Sequence, residues 1–298
     1  MCISFLLLAL TATAANLPAV PYLESDTYLV RLTQWERTGK NYDEYKFVFH
    51  SKDKKSGRES TQVLQNETTD LQSAYIVKHS LVVFGEIRDT ADVMTLFDLD
   101  TGEVRDHFLC YGPQLSDSKK YLIYRKFYPR AAELPATSDL ILIYDLDSPP
   151  EGNRVKTDGQ SADNIGIPIF PEENVKNHSL QVWVEKAEER DTVYPPNQYL
   201  WLNHDAEVTF VDKRGGENWI VLVDLSHGVN QALIRKNKID LTTTLGLDRA
   251  SPEYPSKLKQ YNKSFMVSQI EAGGHGEAIL RIGGIGPHIT NEIAVALP

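Results

Sequence analysis

The histidines are the first residues in this sequence whose type could carry chemistry. They stand at positions 50, 79, 107, 178, 204, 227, 275 and 288. No two of them have the i, i+2 or i, i+4 spacing that brings two imidazoles to one metal ion, so no local zinc site is predicted. His204-Asp205 and His227 follow strand-like segments and could meet only through the fold. We interpret the histidines as surface residues.

Two carboxylates, Asp98 and Asp100, have the spacing with which a calcium loop begins. Counting from Asp98, position 5 is Gly102 and position 12 is Leu109, and neither supplies a side-chain oxygen. The pattern therefore predicts a structural turn. The sequence also lacks the nucleophile elbow, the zinc-protease motif, a paired-cysteine motif and a phosphate loop. It assigns no catalytic residue, no metal ligand and no cofactor.

A cluster of aromatic residues is the one indication of a binding surface. Trp183, Tyr194, Tyr199 and Trp201 surround a Pro-Pro turn. Exposed aromatic rings can stack on sugar faces or anchor a peptide. Rings that alternate along strands more often fill a core, and we prefer that interpretation. The binding residues therefore stay unassigned.

The charge balance restricts the partners. The chain has 298 residues, of which 31 are basic and 41 acidic, and its formal net charge is −10. Nucleic acid and anionic lipid are bound by Lys and Arg, so this balance disfavours both as partners. The segment KDKKSGR at 52–58 concentrates basic residues, but its Asp, Ser and Gly predict a solvated hairpin tip.

The N-terminal segment has the character of an export signal. Residues 1–15 carry no charge, and an apolar run from Ile3 to Leu10 is followed by Ala12-Thr13-Ala14. The run is shorter than the ~20 residues that span a bilayer and suits a signal peptide. We predict a signal peptide over 1–15 and a single mature domain over 16–298, secreted or periplasmic and not inserted in the membrane after cleavage. Cys110 is then the single cysteine and is expected to be buried.

The remainder of the chain consists of short strand-like segments bounded by Asp, Asn, Ser, Gly or Pro. They cover 45–49, 74–77, 80–87, 93–99, 120–127, 139–146, 180–186, 199–202, 207–213 and 219–225. One helix is predicted over 251–261, with Ser251 as its N-cap and Pro252 in its first turn. Many strands without intervening helices indicate a sandwich, a barrel or a propeller.

A short motif recurs at the ends of three of these segments. It reads FDLDTG around Asp98, YDLDSPPEG around Asp145 and VDLSHG around Asp224, at separations of 47 and 79 residues. Weaker copies near positions 51, 185 and 268 bring the number of units to six, at intervals of 39 to 47 residues. A period of this length made of strands is typical of propeller blades. The Asp is expected to cap turn amides, and the Gly to adopt a positive φ.

A second element precedes the motif. The segment LSDSKKYLIYRK at 115–126 places a Ser-Asp-Ser turn before a Lys-Tyr-Leu strand. Over 72–155 the chain resembles the exported TolB-like and WD-like β-propeller repeat proteins, whose blades carry S-x-D-G-K-x-L and then an apolar-x-D strand. It departs from them in having Ser118 where the Gly would stand and in lacking a Trp-Asp dipeptide.

The predicted fold is all-β, a β-propeller of about six four-stranded blades, with a large antiparallel β-sandwich as the alternative. The segment 150–178, rich in Pro, Gly and Asn, is expected to be a loop outside the sheets. The expected function is that of an exported, non-enzymatic binding or scaffold protein that recognises a protein, peptide or glycan on a propeller face. The alternative is a propeller-type glycoside hydrolase with paired channel carboxylates, although the sequence singles out no pair.

Overall fold

The computed structural model describes residues 22–38, 45–65, 70–87, 91–126, 140–154, 165–172, 198–214, 217–283 and 292–298. Antiparallel strands in chain order form four sheets. The first contains β1 (Tyr22–Glu24), β2 (Tyr28–Arg37), β3 (Tyr45–Asp53) and β4 (Glu59–Gln65). The second contains β5 (Asp70–Val77), β6 (Ser80–Ile87), β7 (Ala91–Asp98), β8 (Val104–Leu115), β9 (Tyr121–Lys126), β10 (Ile141–Asp145) and β11 (Ile167–Phe170).

The third sheet contains β12 (Leu200–Leu202), β13 (Glu207–Arg214), β14 (Glu217–Asp224) and β15 (Leu233–Lys238). The fourth contains β16 (Met266–Ala272), β17 (Glu277–Gly283) and β18 (Glu292–Ala296). Two helices, α1 (Leu241–Thr244) and α2 (Tyr254–Ser264), lie between β15 and β16. No helix in the described part of the chain is long and apolar enough to cross a membrane.

Strand β8 divides the seven-stranded sheet into two units. It pairs with β7 through residues up to Cys110 and with β9 from Cys110 onward. The register shifts between Tyr111 and Gln114, around Gly112, whose φ is 54°. A bulge with a left-handed glycine bends a strand sharply, so β8 closes one four-stranded unit and opens the next. We call β1–β4 blade 1, β5–β8 blade 2, β8–β11 blade 3, β12–β15 blade 4 and β16–β18 blade 5.

Consecutive blades pack face to face. Each of four hydrophobic clusters takes most of its residues from two neighbouring blades. On β9, Tyr121 and Ile123 join the cluster between blades 3 and 4, whereas Leu122 and Tyr124 join the cluster between blades 2 and 3. The alternation of side chains along one strand thus supplies two different cores. A sandwich has a single core between its two sheets, so the arrangement is that of propeller blades.

The predicted strands are confirmed wherever the structure describes them, and Cys110 is fully buried, as expected. The segment 180–186 and the motif copy near Glu185 lie outside the described residues, which form five of the six predicted blades. The predicted helix begins later than expected, because Glu253 and not Ser251 is its N-cap. Pro255 occupies the first turn, where its missing N–H is not needed.

The expectation that 150–178 lies outside the sheets is wrong for residues 167–170. These residues form β11, which pairs with β10 as the outer strand of blade 3. Pro168 is compatible with this position because an edge strand does not need every N–H for the ladder. The Pro, Gly and Asn content of 150–178 predicted a loop, but residues 167–170 form a strand because all four of their side chains are buried.

Candidate functional site

The aspartates of the repeated motif occupy equivalent positions in three blades. Asp98, Asp145 and Asp224 each end the third strand of a blade. In each turn the Oδ1 atom accepts a hydrogen bond from the backbone amide two residues later, at 2.8, 2.9 and 2.8 Å. The repeat and the capping role are confirmed at these positions.

The weaker copies of the motif are not all at the predicted positions. In blade 1 the same contact is made by Asp53, which accepts from the Lys55 amide at 2.8 Å, so the motif lies two residues after Ser51. Ser268 lies on β16, the first described strand of its blade, and the copy placed there is wrong. Of the glycines, Gly102 and Gly228 adopt the expected positive φ, at 82° and 95°, whereas the expectation is wrong for Gly152, which lies in the 3₁₀ helix Pro150–Asn153.

The turn between the first and second strands lies beside the aspartate turn of the same blade. The amides of Leu99, Leu146 and Leu225 donate to the carbonyls of His79, Lys120 and Ala206, at 2.8, 2.9 and 2.7 Å. In blade 1 the Lys54 amide makes the same contact with the Thr27 carbonyl, at 2.8 Å. Polar contacts between neighbouring blades join these turns of blades 1 to 4 into one surface, which we call the turn face. The basic segment 52–58 is the turn between β3 and β4 on this face, and it is the exposed hairpin tip that its sequence predicts.

A polar cluster on the turn face joins blade 1 to blade 2. The Tyr28 hydroxyl donates to Asp100 Oδ1 at 2.8 Å and lies 2.7 Å from His79 Nδ1. His79 Nδ1 also lies 3.1 Å from Asp100 Oδ2, and Arg58 forms an ion pair with Asp100. Tyr28 is buried, whereas the side chain of His79 is 65% exposed.

The electrostatics of this cluster fix its proton arrangement. The hydrogen bond from Tyr28, with the charge of Arg58, holds the pKa of Asp100 below its usual value. Burial, together with that hydrogen bond, raises the pKa of Tyr28, so the tyrosine keeps its proton.

Blades 3 and 4 are joined by Asp205, which is 3% exposed. Its carboxylate accepts from the amides of Asp117 and Ser118, at 3.2 and 3.0 Å, and from the Ser118 hydroxyl. Burial alone would raise the pKa of Asp205, but these hydrogen bonds lower it. The carboxylate therefore anchors the Ser-Asp-Ser turn of the neighbouring blade, in which Lys119 and not Ser118 has the positive φ, at 63°.

The sequence indicated that His204, Asp205 and His227 could come together in the folded protein. Asp205 points instead to the neighbouring blade, while His227 lies 3.0 Å from the Ser226 hydroxyl. His204 and His227 are exposed on the turn face, as expected for surface residues. The cluster around His79 was missed, because its members lie up to 72 residues apart and belong to two blades.

The aromatic cluster is only partly described. Tyr199 and Trp201 are 4% and 5% exposed and lie in the core between blades 3 and 4, where Trp201 stacks on Tyr121 at 5.9 Å. The core interpretation is confirmed for these two residues. Trp183 and Tyr194 lie outside the described residues.

A pair of carboxylates lies at the edge of blade 2 opposite the turn face. Glu86 and Asp92 are directly paired on β6 and β7, and the side-chain amide of Gln72 donates to both, at 3.2 and 3.5 Å. Asp92 also accepts from the Gly112 amide at 2.7 Å, at the bend of β8. Burial raises the pKa of Asp92. The carboxylate thus holds the bend that separates blades 2 and 3.

Comparison with known proteins identifies no family. No family model matches the chain, and no curated protein matches it. Among solved structures the neighbours are β-propeller proteins of low identity. A chain of a mitotic checkpoint complex is 9% identical, with a TM-score of 0.34, over 85% of this chain and 58% of that one. TolB from Acinetobacter baumannii is 13% identical, with a TM-score of 0.17, over 90% of this chain and 80% of that one.

A chain of the tricorn protease is also 13% identical, with a TM-score of 0.22, over 87% of this chain and 23% of that one. This chain thus spans less than two thirds of the checkpoint-complex chain and less than a quarter of the tricorn chain. The assignment of an all-β fold of propeller blades rests on the sheet order and the cores described above.

Proposed function

We propose that this protein is an exported, non-enzymatic binding or scaffold protein whose turn face recognises a protein, peptide or glycan. The observation that carries the proposal is the series of polar contacts that ties blades 1 to 4 together on that face. Blades 1 and 2 are joined at Asp100, blades 2 and 3 by the ion pair of Lys78 with Asp147, and blades 3 and 4 at Asp205.

Such contacts make the face suitable for recognition. Turns that are held by neighbouring blades lose little conformational entropy when a partner binds, and a rigid scaffold carrying exposed turns is a common binding arrangement. Lys55, Lys119, His204 and His227 are exposed on these turns and can contact a partner without disturbing the cores.

The binding test uses charge-matched variants. Fluorescently labelled protein is applied to glycan and peptide arrays, and the affinity for the best ligand is then measured in solution. Lys55→Glu combined with Lys119→Glu should weaken binding at least tenfold. Lys236→Glu combined with Lys259→Glu makes the same change of charge away from the turn face and should leave binding unchanged. Equal affinities for the two double variants would rule out the turn face.

Export is a separate part of the proposal. It is supported by the uncharged apolar segment 1–15 and its Ala-Thr-Ala site. Mass spectrometry of protein produced in its own host should find a mature N-terminus at Ala15 or Asn16. Soluble, folded protein that retains Met1 would contradict export.

A second candidate function is glycoside hydrolysis at Glu86 and Asp92. Both carboxylates contact the side-chain nitrogen of Gln72, so the two contacting oxygens are at most about 7 Å apart, a limit that includes the ~5–5.5 Å separation of retaining glycosidases. The raised pKa of Asp92 would suit a general acid. The protein should then hydrolyse 4-nitrophenyl glycosides, and both Glu86→Gln and Asp92→Asn should abolish the activity while leaving the circular dichroism spectrum unchanged. Wild-type activity no higher than that of a Glu86→Gln, Asp92→Asn double variant would exclude this function.

A further inference from the structure

The outer edge of blade 5 has no strand beside it in the described part of the chain. Blades 1 to 4 each contain four strands, whereas blade 5 contains three, and β18 pairs with β17 alone. Among the described strands, none pairs with the backbone groups of β18 that point away from β17. An added strand would give blade 5 the strand number of its neighbours.

β18 has no basic residue, no Pro and no bulge, three features that protect edge strands from pairing. Edges are commonly blocked by Lys, Arg, Pro or a bulge. β15 carries Arg235, Lys236 and Lys238, and β11 carries Pro168. The sequence of β18 is EIAVA, with no basic residue and no Pro, and its register with β17 is regular over all five residues.

The two faces of β18 define what an added strand must present. On one face Ile293 and Val295, 4% and 9% exposed, complete the core between blades 4 and 5. Side chains directly across from them in an added strand would face the same apolar surface. Aliphatic residues at two alternate positions would extend that core.

The other face carries a row of alternating polar groups. Arg281 donates to Gln269 on β16 and to Glu292 on β18, both at 3.0 Å, and lies 3.8 Å from Glu271. Across this face, polar groups on β16 are followed by the cation Arg281 on β17 and then by the anion Glu292 on β18. The complementary residue in the next strand, opposite Glu292, is Lys or Arg.

We propose that β18 binds an extended segment of a partner protein as an antiparallel fourth strand. Read from its N-terminus, the segment has an aliphatic residue opposite Val295, any residue opposite Ala294, an aliphatic residue opposite Ile293, and Lys or Arg opposite Glu292. Main-chain hydrogen bonds supply most of the affinity in such strand addition, and the alternate side chains supply the specificity. The net charge of −10 favours a basic segment in addition. This surface is distinct from the turn face.

A basic partner fits better than the two nearest alternatives. An antiparallel pair of two β18 strands centred on Ala294 would place Ala296 of the second copy opposite Glu292 and supply no cation. The residues that precede β1, NLPAVP at 16–21, contain no Lys or Arg. The experiments below distinguish a basic partner from a second copy of β18 and from residues 16–21 of the same chain.

The binding test uses the peptide Thr-Val-Thr-Val-Lys with a fluorescein at its N-terminus. Fluorescence anisotropy should show saturable binding to the mature protein at micromolar to millimolar concentrations. Replacing the peptide Lys with Glu should weaken binding about threefold to tenfold, since it exchanges an attraction at Glu292 for a repulsion. The variant Glu292→Lys, at an exposed position, should reverse that preference.

Backbone methylation tests the strand geometry. Only alternate N–H groups of an added strand point toward β18. Of two peptides methylated at alternate nitrogens, one should therefore lose binding and the other keep it. Equal binding of the two, or no saturable binding by the unmodified peptide, would overturn the proposal.

Hydrogen exchange and ultracentrifugation of the free protein separate the alternatives. The outward amides of 292–296 should exchange rapidly in monomeric protein and become protected when the peptide is added. Slow exchange in the free monomer would show that the chain covers its own edge, and a concentration-dependent dimer would show that a second copy does; either result overturns the proposal. The Lys55→Glu, Lys119→Glu variant should still bind the peptide. A failure of the β18 proposal can therefore be distinguished from a failure of the proposal that the turn face binds a ligand.

Discussion

Replacing Asp205 with alanine is expected to destabilise the protein by about 3 kcal/mol. The buried carboxylate accepts hydrogen bonds from two amides and one hydroxyl of blade 3. A hydrogen bond to a charged group contributes about 1.5–3 kcal/mol, but Asp117 and Ser118 are exposed, so water replaces part of what is lost. Alanine also tolerates the φ of 67° at this position less well than Asp does, which adds about 0.5–1 kcal/mol.

Urea unfolding followed by circular dichroism measures this loss. The control is Asp205→Asn, which keeps a side-chain acceptor and the tolerance of a left-handed backbone but removes the charge. We expect it to cost about 1 kcal/mol, the value of a hydrogen bond between neutral groups. A loss below about 1 kcal/mol for the alanine variant, or equal losses for the two variants, would refute the reasoning that this charged anchor joins blades 3 and 4.

The pH dependence gives an independent check. Burial alone would raise the pKa of Asp205, but its hydrogen bonds lower it. The hydrogen-bonded carboxylate therefore stabilises the fold most at a pH where Asp205 is ionised in both the folded and the unfolded state. That contribution is complete above the unfolded pKa of about 3.9 and is lost as the pH falls through the lower folded value. The difference in unfolding free energy between the wild type and Asp205→Ala should be constant from about pH 7 to pH 5 and shrink below about pH 4. A difference that persists undiminished in strong acid would contradict this account.

Three further changes have defined outcomes in the same unfolding assay. Asp145→Ala removes the cap of a third-strand turn and should cost about 0.5–2 kcal/mol without changing ligand affinity per folded molecule; a stable variant that no longer binds would show that Asp145 belongs to a site. Gly102→Ala places a Cβ 2.7 Å from the Thr61 carbonyl of blade 1 and should cost about 1 kcal/mol more than Gly57→Ala, which has a similar positive φ and open space around it; equal costs would contradict the close contact. Leu122→Ala should cost about 2–5 kcal/mol because it opens a cavity in the fully buried core between blades 2 and 3, and a loss below about 1 kcal/mol would contradict that packing.

The repeat could be predicted from the sequence because its parts are local. The turn after each third strand needs an acceptor for the amide two residues later, and Asp98, Asp145 and Asp224 supply it from within the same turn. The strands before them show β-branched and aromatic residues bounded by turn residues, and all three of these third strands were predicted. The predicted segments left out β1, β2, β4, β8, β11 and β15 to β18. Of these, β4 and β15 lie at the outside of their blades and carry mainly polar, exposed residues, which give little strand signal.

The failures have one physical cause, which is that the deciding contacts are not local. The segment IPIF at 167–170 lies in a stretch whose composition is typical of a loop. It nevertheless forms a strand, because it pairs with β10 and is buried in the core between blades 3 and 4. The copy near Ser268 has a suitable sequence but stands on a first strand. In both cases the position of a segment in its sheet outweighed its composition.

The sequence by itself therefore determined the strand class, the period and the turn chemistry of this protein, since these depend on residues within one turn or one strand. The tertiary structure alone decided that β8 serves two blades, that alternate side chains of β9 enter different cores, and that Tyr28, Arg58, His79 and Asp100 meet. The members of that cluster lie on separate blades and come together only when the faces of those blades pack. Candidate binding surfaces such as the turn face and the edge of β18 belong to the same category, because the edge of a sheet is defined only by the strands around it.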